Sequence, residues 1–141
     1  MATTGLDVFD TTVQKTNEWL HELMGELGWQ DQHRAYAALR ATLHALRDRL
    51  TVDEVAQLGA QLPMLVRGFY YEGWDPSRTP LRERHREQFL THVRQELRGD
   101  PAPDVEAIVR AVFAVLGRRV TRGEVEDVRH LLPAEIRDLW P

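Results

Sequence analysis

Apolar residues return every three or four positions along most of the chain, and no stretch alternates with a period of two for long enough to suggest a strand. Val13, Thr16, Leu20, Leu23, Met24 and Leu27 predict a first helix over about residues 11–27, with Asp10-Thr11 as cap candidates and Gly28 as its close. Asp31 can cap a second helix that buries Ala35, Leu39, Thr42, Leu43 and Leu46, puts Arg34, Arg40 and Arg47 largely on other faces, and ends near Leu50. Thr51-Val52-Asp53-Glu54 reads as a capping box, so a third helix is expected to start at Val52. Pro63 suits the first turn of a short fourth helix, whose end Gly73 marks. Beyond the linker 74–80, Thr79 as cap and Pro80 as first residue are expected to open a helix with the stripe Phe89, Leu90, Val93 and Leu97. Residues 99–103 break it. A strongly apolar helix follows through Ile108, Val109, Val112, Phe113 and Leu116; Thr121-Arg122-Gly123-Glu124 forms a second box, and Pro133 begins the closing helix.

The predicted elements recur. A shift of 70 residues lays Leu39–Tyr70 over Val109–Trp140 without a gap, with ten of 32 positions identical; roughly two would match by chance at ordinary composition. The identities include Leu46/Leu116, Thr51/Thr121, Glu54/Glu124, Pro63/Pro133 and Arg67/Arg137, so both boxes and both helix-opening prolines coincide. The same shift sets Trp19 on Phe89, Leu20 on Leu90, Leu23 on Val93 and Leu27 on Leu97. The expected fold is therefore all-α: a tandem duplication of a roughly 70-residue four-helix unit, packed as one compact bundle with pseudo-twofold symmetry. One domain spans 1–141, with repeats at about 9–74 and 79–140 and a linker at 75–79. Two loosely tethered bundles are the alternative, although units this small gain more by sharing a core.

Composition narrows the class. With 43% hydrophobic and 28% charged residues, the 141-residue chain has the balance of a globular domain. It has no cysteine, which removes disulfides, thiolate metal sites and thiol nucleophiles and favours a cytoplasmic address. The opening residues lack the basic and apolar regions of a signal peptide, and the longest apolar run, Ala111 to Leu116, is far too short to span a membrane. The formal charge is −4, and Lys15 is the only lysine among 18 basic residues.

Candidate chemistry is sparse. Glu18-x-x-His21 has the spacing of half a carboxylate-bridged dimetal site, with Asp127-x-x-His130 as its nearest companion, but the repeat pairs His21 with Thr91 and supplies no symmetric set. No metal or cofactor is assigned. The single serine, Ser77, lies in a Pro-rich turn rather than a nucleophile elbow, and no glycine-rich phosphate loop occurs, so no catalytic residue is assigned and the reading leans away from an enzyme. Arg82, Arg84, Arg86, Arg94 and Arg98, with Arg118, Arg119 and Arg122 further on, could meet phosphates. Glu83, Glu87 and Glu96 interleave with the first group and disfavour nucleic acid.

One segment has no counterpart in the other repeat. Residues 69–76 gather Phe69, Tyr70, Tyr71 and Trp74 with Glu72 and Asp75 around Gly73, at the joint between the halves. Tyrosine and tryptophan combine apolar area with a polar tip, as interfaces favour; the same rings could instead plug the seam.

Phe9-Asp10-x-Thr12-Val13-x-Lys15-Thr16-x-x-Trp19-Leu20, Ala38-Leu39-Arg40-Ala41 and Leu46-Arg47-Asp48-Arg49-Leu50 resemble a bacterial family. So do Leu62-Pro63-x-Leu65-Val66-Arg67-Gly68-Phe69-Tyr70-Tyr71-Glu72-Gly73-Trp74 and the ending Leu139-Trp140-Pro141. That family is known as domain of unknown function 2267. The resemblance runs nearly end to end and implies a small, helical, cytoplasmic bacterial protein, without bringing a catalytic residue, cofactor or substrate.

Three functional classes follow. The first is a non-enzymatic module that binds a protein partner or a second copy of itself, with Arg67, Tyr70, Tyr71, Glu72 and Trp74 as its candidate surface. The second is a small-molecule-binding protein or enzyme whose pocket lies between the repeats, where Arg67, Tyr71 and Glu72 would converge on an anion. The third is nucleic-acid binding through the arginine helix. No membrane partner is expected.

Overall fold

The computed structural model describes residues 4–101 and 103–141, and among these it contains eight α-helices, one 3₁₀ turn and no strand. The helices are α1 (Asp7–Leu27), α2 (Gln32–Arg47), α3 (Val52–Ala60), α4 (Met64–Tyr71), α5 (Arg86–Glu96), α6 (Val105–Arg119), α7 (Arg122–Leu131) and α8 (Ala134–Arg137). None of them is long and apolar enough to cross a membrane.

Local chemistry accounts for most boundaries. Gly28 adopts φ +69°, which lets the Trp29 amide reach back to Met24 O and close α1. Asp31 accepts from the Arg34 amide at the start of α2, and Asp104 from the Ala107 amide at the start of α6. Helix α1 begins four residues before the expected position. Asp7 and Asp10 in its first turn complement the positive end of the helix dipole, and the Phe9 and Asp10 amides bond Leu6 O.

Three expectations are corrected. Helix α2 ends at Arg47 rather than near Leu50, because the chain turns there through Asp48 N to His44 O and Arg49 N to Leu46 O. Helix α5 starts at Arg86, not at Pro80. Residues 79–85 run across the end of α2 instead, tied by Leu81 N to Asp48 O (2.7 Å) and by Arg49 Nη2 to Glu83 Oε1 (2.9 Å); these contacts outbid a helix whose first turns would carry Arg82 and Arg84 against the dipole. Thr51 and Thr121 do cap α3 and α7, accepting from the Glu54 and Glu124 amides, but the reciprocal arm of the second box is replaced by a tertiary contact. The Thr121 amide donates to Gln61 Oε1 of the α3–α4 turn, while Glu54 and Glu124 turn toward each other.

Helices α2 and α6 form the centre and pack on each other. Each is apolar or small on nearly every side; Ala35, Ala38, Ala41 and Ala45 let neighbours approach α2 closely, and Val109, Val112, Phe113 and Leu116 fill the space beside α6. Helix α1 lies on α2, α4 and α6, and α5 on α6, α8 and α2, so each outer helix touches the central helix of the other half. Helix α3 meets α7. Leu23, Leu39, Leu43 and Leu46 share one continuous core cluster with Phe89, Ile108, Phe113 and Leu116. Two arginines serve matching positions: Arg67 donates to Gly59 O and Leu62 O, and Arg137 to Arg129 O and Leu132 O.

Candidate functional site

Helix α4 carries most of the residues singled out from the sequence, and it is held at both ends by side chains from elsewhere. The Leu65 amide in its first turn donates to Thr12 Oγ1 of α1 (2.9 Å). At the other end the unpaired carbonyls are taken by α2: His44 Nε2 meets Phe69 O (2.6 Å), and Arg47 Nη1 donates to Tyr70 O (2.9 Å) and Glu72 O (2.8 Å). His44 and Arg47 are buried. The second of these corrects the expectation that Arg47 lies on an outer face, for its guanidinium closes α4 and also bonds Asp48. Sequence reasoning missed this pair, because His44 and Arg47 reach carbonyls 23 to 25 residues along the chain.

The five candidate surface residues have different surroundings. Tyr70 is fully buried with its hydroxyl donating to Val55 O (2.8 Å), and burial pushes its phenol well above the usual range. The Arg67 fork is occupied by the carbonyls that end α3. Tyr71 is half-buried, edge-on to Tyr70, with its hydroxyl against Gly59 and 3.5 Å from Val55 O. Trp74 leans on Tyr71 at 5.7 Å, half-buried. Glu72 alone of the five is exposed, paired with Arg40 (3.4 Å), which also reaches Glu96. Arg67, Tyr71 and Glu72 thus point to three different partners rather than to a common ligand.

Glu72 also borders a groove of about 690 Å³ between α1, α2 and α4. Its apolar wall is Leu20, Tyr36, Leu65 and Phe69, with Gly68 leaving α4 bare along one side. Tyr36 stands edge-on to Phe69 at 5.2 Å. The Gln32 amide donates to Asn17 Oδ1 (2.8 Å) across the gap between α2 and α1. The first two turns of α1 and the first turn of α4 expose Phe9, Val13, Met64 and Leu65, each at least 38% accessible. The Thr12–Leu65 bond brings these two apolar strips side by side.

A second cleft of about 690 Å³ lies between α2 and the α5–α6 connection, with Trp29, Arg34, Glu96 and Asp100 in its wall. The Arg34 guanidinium stacks over Trp29 at 3.8 Å and donates to Asp100 (2.7 Å). Among the C-terminal arginines, Arg118 pairs with Glu22 and Glu26, and Arg119 with Glu22 and Glu18. Burial raises the Glu22 carboxyl, but the hydrogen bonds from both arginines outweigh it and leave the group below its ordinary value. Glu18 of the candidate metal spacing is therefore engaged by Arg119.

With this geometry in place, the chain can be compared with known proteins. The family described as an uncharacterized conserved protein, DUF2267, matches residues 16–139. The chain belongs to this family. No curated protein matches it. The match to DUF2267 takes in every residue bordering the groove and leaves out Phe9 and Val13.

Proposed function

We propose that this protein is a non-enzymatic interaction module whose α1–α2–α4 groove receives an amphipathic helical segment of a partner protein. The observation that carries the reading is the exposed strip Phe9, Val13, Met64 and Leu65 running into an open groove walled by Leu20, Tyr36 and Phe69. A helix laid in such a groove buries anchors spaced at i, i+3 or i+4, and i+7. Glu72, exposed at the border, would exchange its 3.4 Å contact with Arg40 for a lysine or arginine beside those anchors. Glu72 is the outward part of the joint; Tyr70, Arg67 and the half-buried Trp74 hold its inner face.

The scaffold is read as a duplicated four-helix unit with pseudo-twofold symmetry. In support, Arg67 and Arg137 donate to carbonyls separated by the same 70 positions as the arginines themselves. The exchanged packing of α1 on α6 and α5 on α2 supports it as well. The groove belongs to the first unit, whose α4 is eight residues long against four for α8.

A photo-crosslinking residue at Gly68 tests the docking reading, since a side chain there meets no neighbouring atom within 4 Å. The expected adduct is a helical peptide with apolar anchors and a basic residue, lost in Leu65→Glu while the melting temperature holds. Adduct formation indifferent to Leu65→Glu would refute it. A small molecule is the second reading, because about 690 Å³ lies within the range of ligand pockets; mass spectrometry of the purified protein, wild type beside Leu65→Glu, would reveal a retained metabolite.

A further inference from the structure

Glu54 and Glu124 occupy the same position in their helices, the third residue after a threonine cap, and α3 packs on α7 so that the two carboxylates face each other. Each residue is only 8% exposed. The Oε2 atom of each is buried with no hydrogen-bond partner. Asp127, one turn along α7 and exposed, brings a third carboxylate; one oxygen from each of the three lies within 4.8 Å of the others. A desolvated pair of acids with unpaired oxygens calls for a counter-charge. The groups acting on Glu124 are its burial, Glu54 and Asp127; all three push its carboxyl up, to about 8, and none is basic. Tyr70 of α4 stands nearby, its hydroxyl committed to Val55 O.

We propose that Glu54, Glu124 and Asp127 bind one hard divalent cation between α3 and α7. The spacing suits it, because an ion with oxygen ligands at about 2.0–2.6 Å can touch three oxygens that lie this close together. The donor set is oxygen only, without histidine or cysteine, which favours magnesium, manganese or calcium over zinc or copper. Water completes the coordination on the exposed Asp127 side. The two buried glutamates come from opposite halves of the chain, so the ion ties α3 to α7.

The test is calorimetric titration of the full-length, chelator-stripped protein with MnCl₂, and separately with CaCl₂ and MgCl₂, at pH 7 in two buffers of different ionisation enthalpy. The expected result is one ion per chain and a higher melting temperature with the ion. Binding should vanish in Glu124→Gln and Glu54→Gln and weaken about tenfold in Asp127→Asn, whose exposed site leaves folding untouched and keeps the test valid if a buried variant misfolds. Absence of saturable binding by all three ions would overturn the proposal and leave a carboxyl pair that merely shares a proton. Binding undiminished in Asp127→Asn and Glu124→Gln would overturn it equally.

Discussion

Replacing Arg67 with methionine removes the guanidinium and keeps most of the apolar stem, so it isolates what the fork does. In the structure Nε donates to Gly59 O at 2.8 Å and Nη2 to Leu62 O at 2.9 Å, with a longer contact to Ala60 O at 3.5 Å. A hydrogen bond from a charged donor contributes about 1.5–3 kcal/mol, but this side chain is only half-buried and water can reach the freed carbonyls. Two short bonds at about 1 kcal/mol each give about 2 kcal/mol, which for a chain of this length lowers the melting temperature by about 6 °C. Arg137→Met should cost the same to within about 0.5 kcal/mol, because it removes bonds of 3.1 and 2.8 Å to Arg129 O and Leu132 O. Lysine at either position can satisfy only one carbonyl and should recover about half. Urea denaturation followed by circular dichroism at constant m measures all four variants. If Arg67→Met lowers stability by less than about 0.3 kcal/mol while Arg137→Met shows the full loss, the fork of Arg67 is not what ends α3. It would then return to the list of groups free to meet a ligand.

Stability should fall as pH rises through neutrality in the absence of divalent cations. The Glu124 carboxyl is raised to about 8 in the fold from an ordinary value of 4.5, so the native state holds the extra proton across that window and loses its advantage on the way up. Thermal melts from pH 5 to 9 should show the decline, and Glu124→Gln should flatten it; a wild-type profile flat over that range would contradict the buried pair. Arg47→Met should cost about 3 kcal/mol, since it strips two carbonyls at the end of α4 in a buried setting, and hydrogen exchange should report faster opening of Phe69–Glu72 first. Gly59→Ala should be close to neutral by denaturation, because about 1 kcal/mol of helix propensity is offset by a Cβ placed 2.5 Å from the Tyr71 hydroxyl. In a Tyr71→Phe background the same change should stabilise by about 0.5 kcal/mol, less than the full propensity gain because ring carbons at 3.0 and 3.1 Å remain; destabilisation there would mean that the ring, not its oxygen, fills the space.

Much of the secondary structure was legible because its causes are local. The caps at Asp31, Thr51 and Thr121, the turn at Gly28 and the prolines opening α4 and α8 act within four or five residues of chain, and apolar spacing marks which side of each helix is buried. Leu39, Leu46, Val109 and Leu116 could be placed in the core from period alone. The start of α5 was misplaced because the segment before it is held by the Leu81 N–Asp48 O and Arg49–Glu83 bonds, so the helix opens only at His85, whose amide donates locally to Gln88 Oε1. The joint was visible as a run of aromatics, yet the sequence could not divide Tyr70, sealed inside, from Glu72, two residues later and exposed. The groove has no local signature at all: its walls come from α1, α2 and α4, brought together by packing.

By itself, then, the sequence determined an all-helical chain, most of its caps, the apolar stripes and the likeness of its two halves, because each of these is written in residues a turn or a fixed offset apart. Tertiary structure alone decided that His44 and Arg47 turn inward to end α4, that Glu54 meets Glu124, and that a groove opens beside Leu65. Those outcomes depend on which helix faces meet and at what angle. Period and capping specify that a face is apolar, not which other face will cover it.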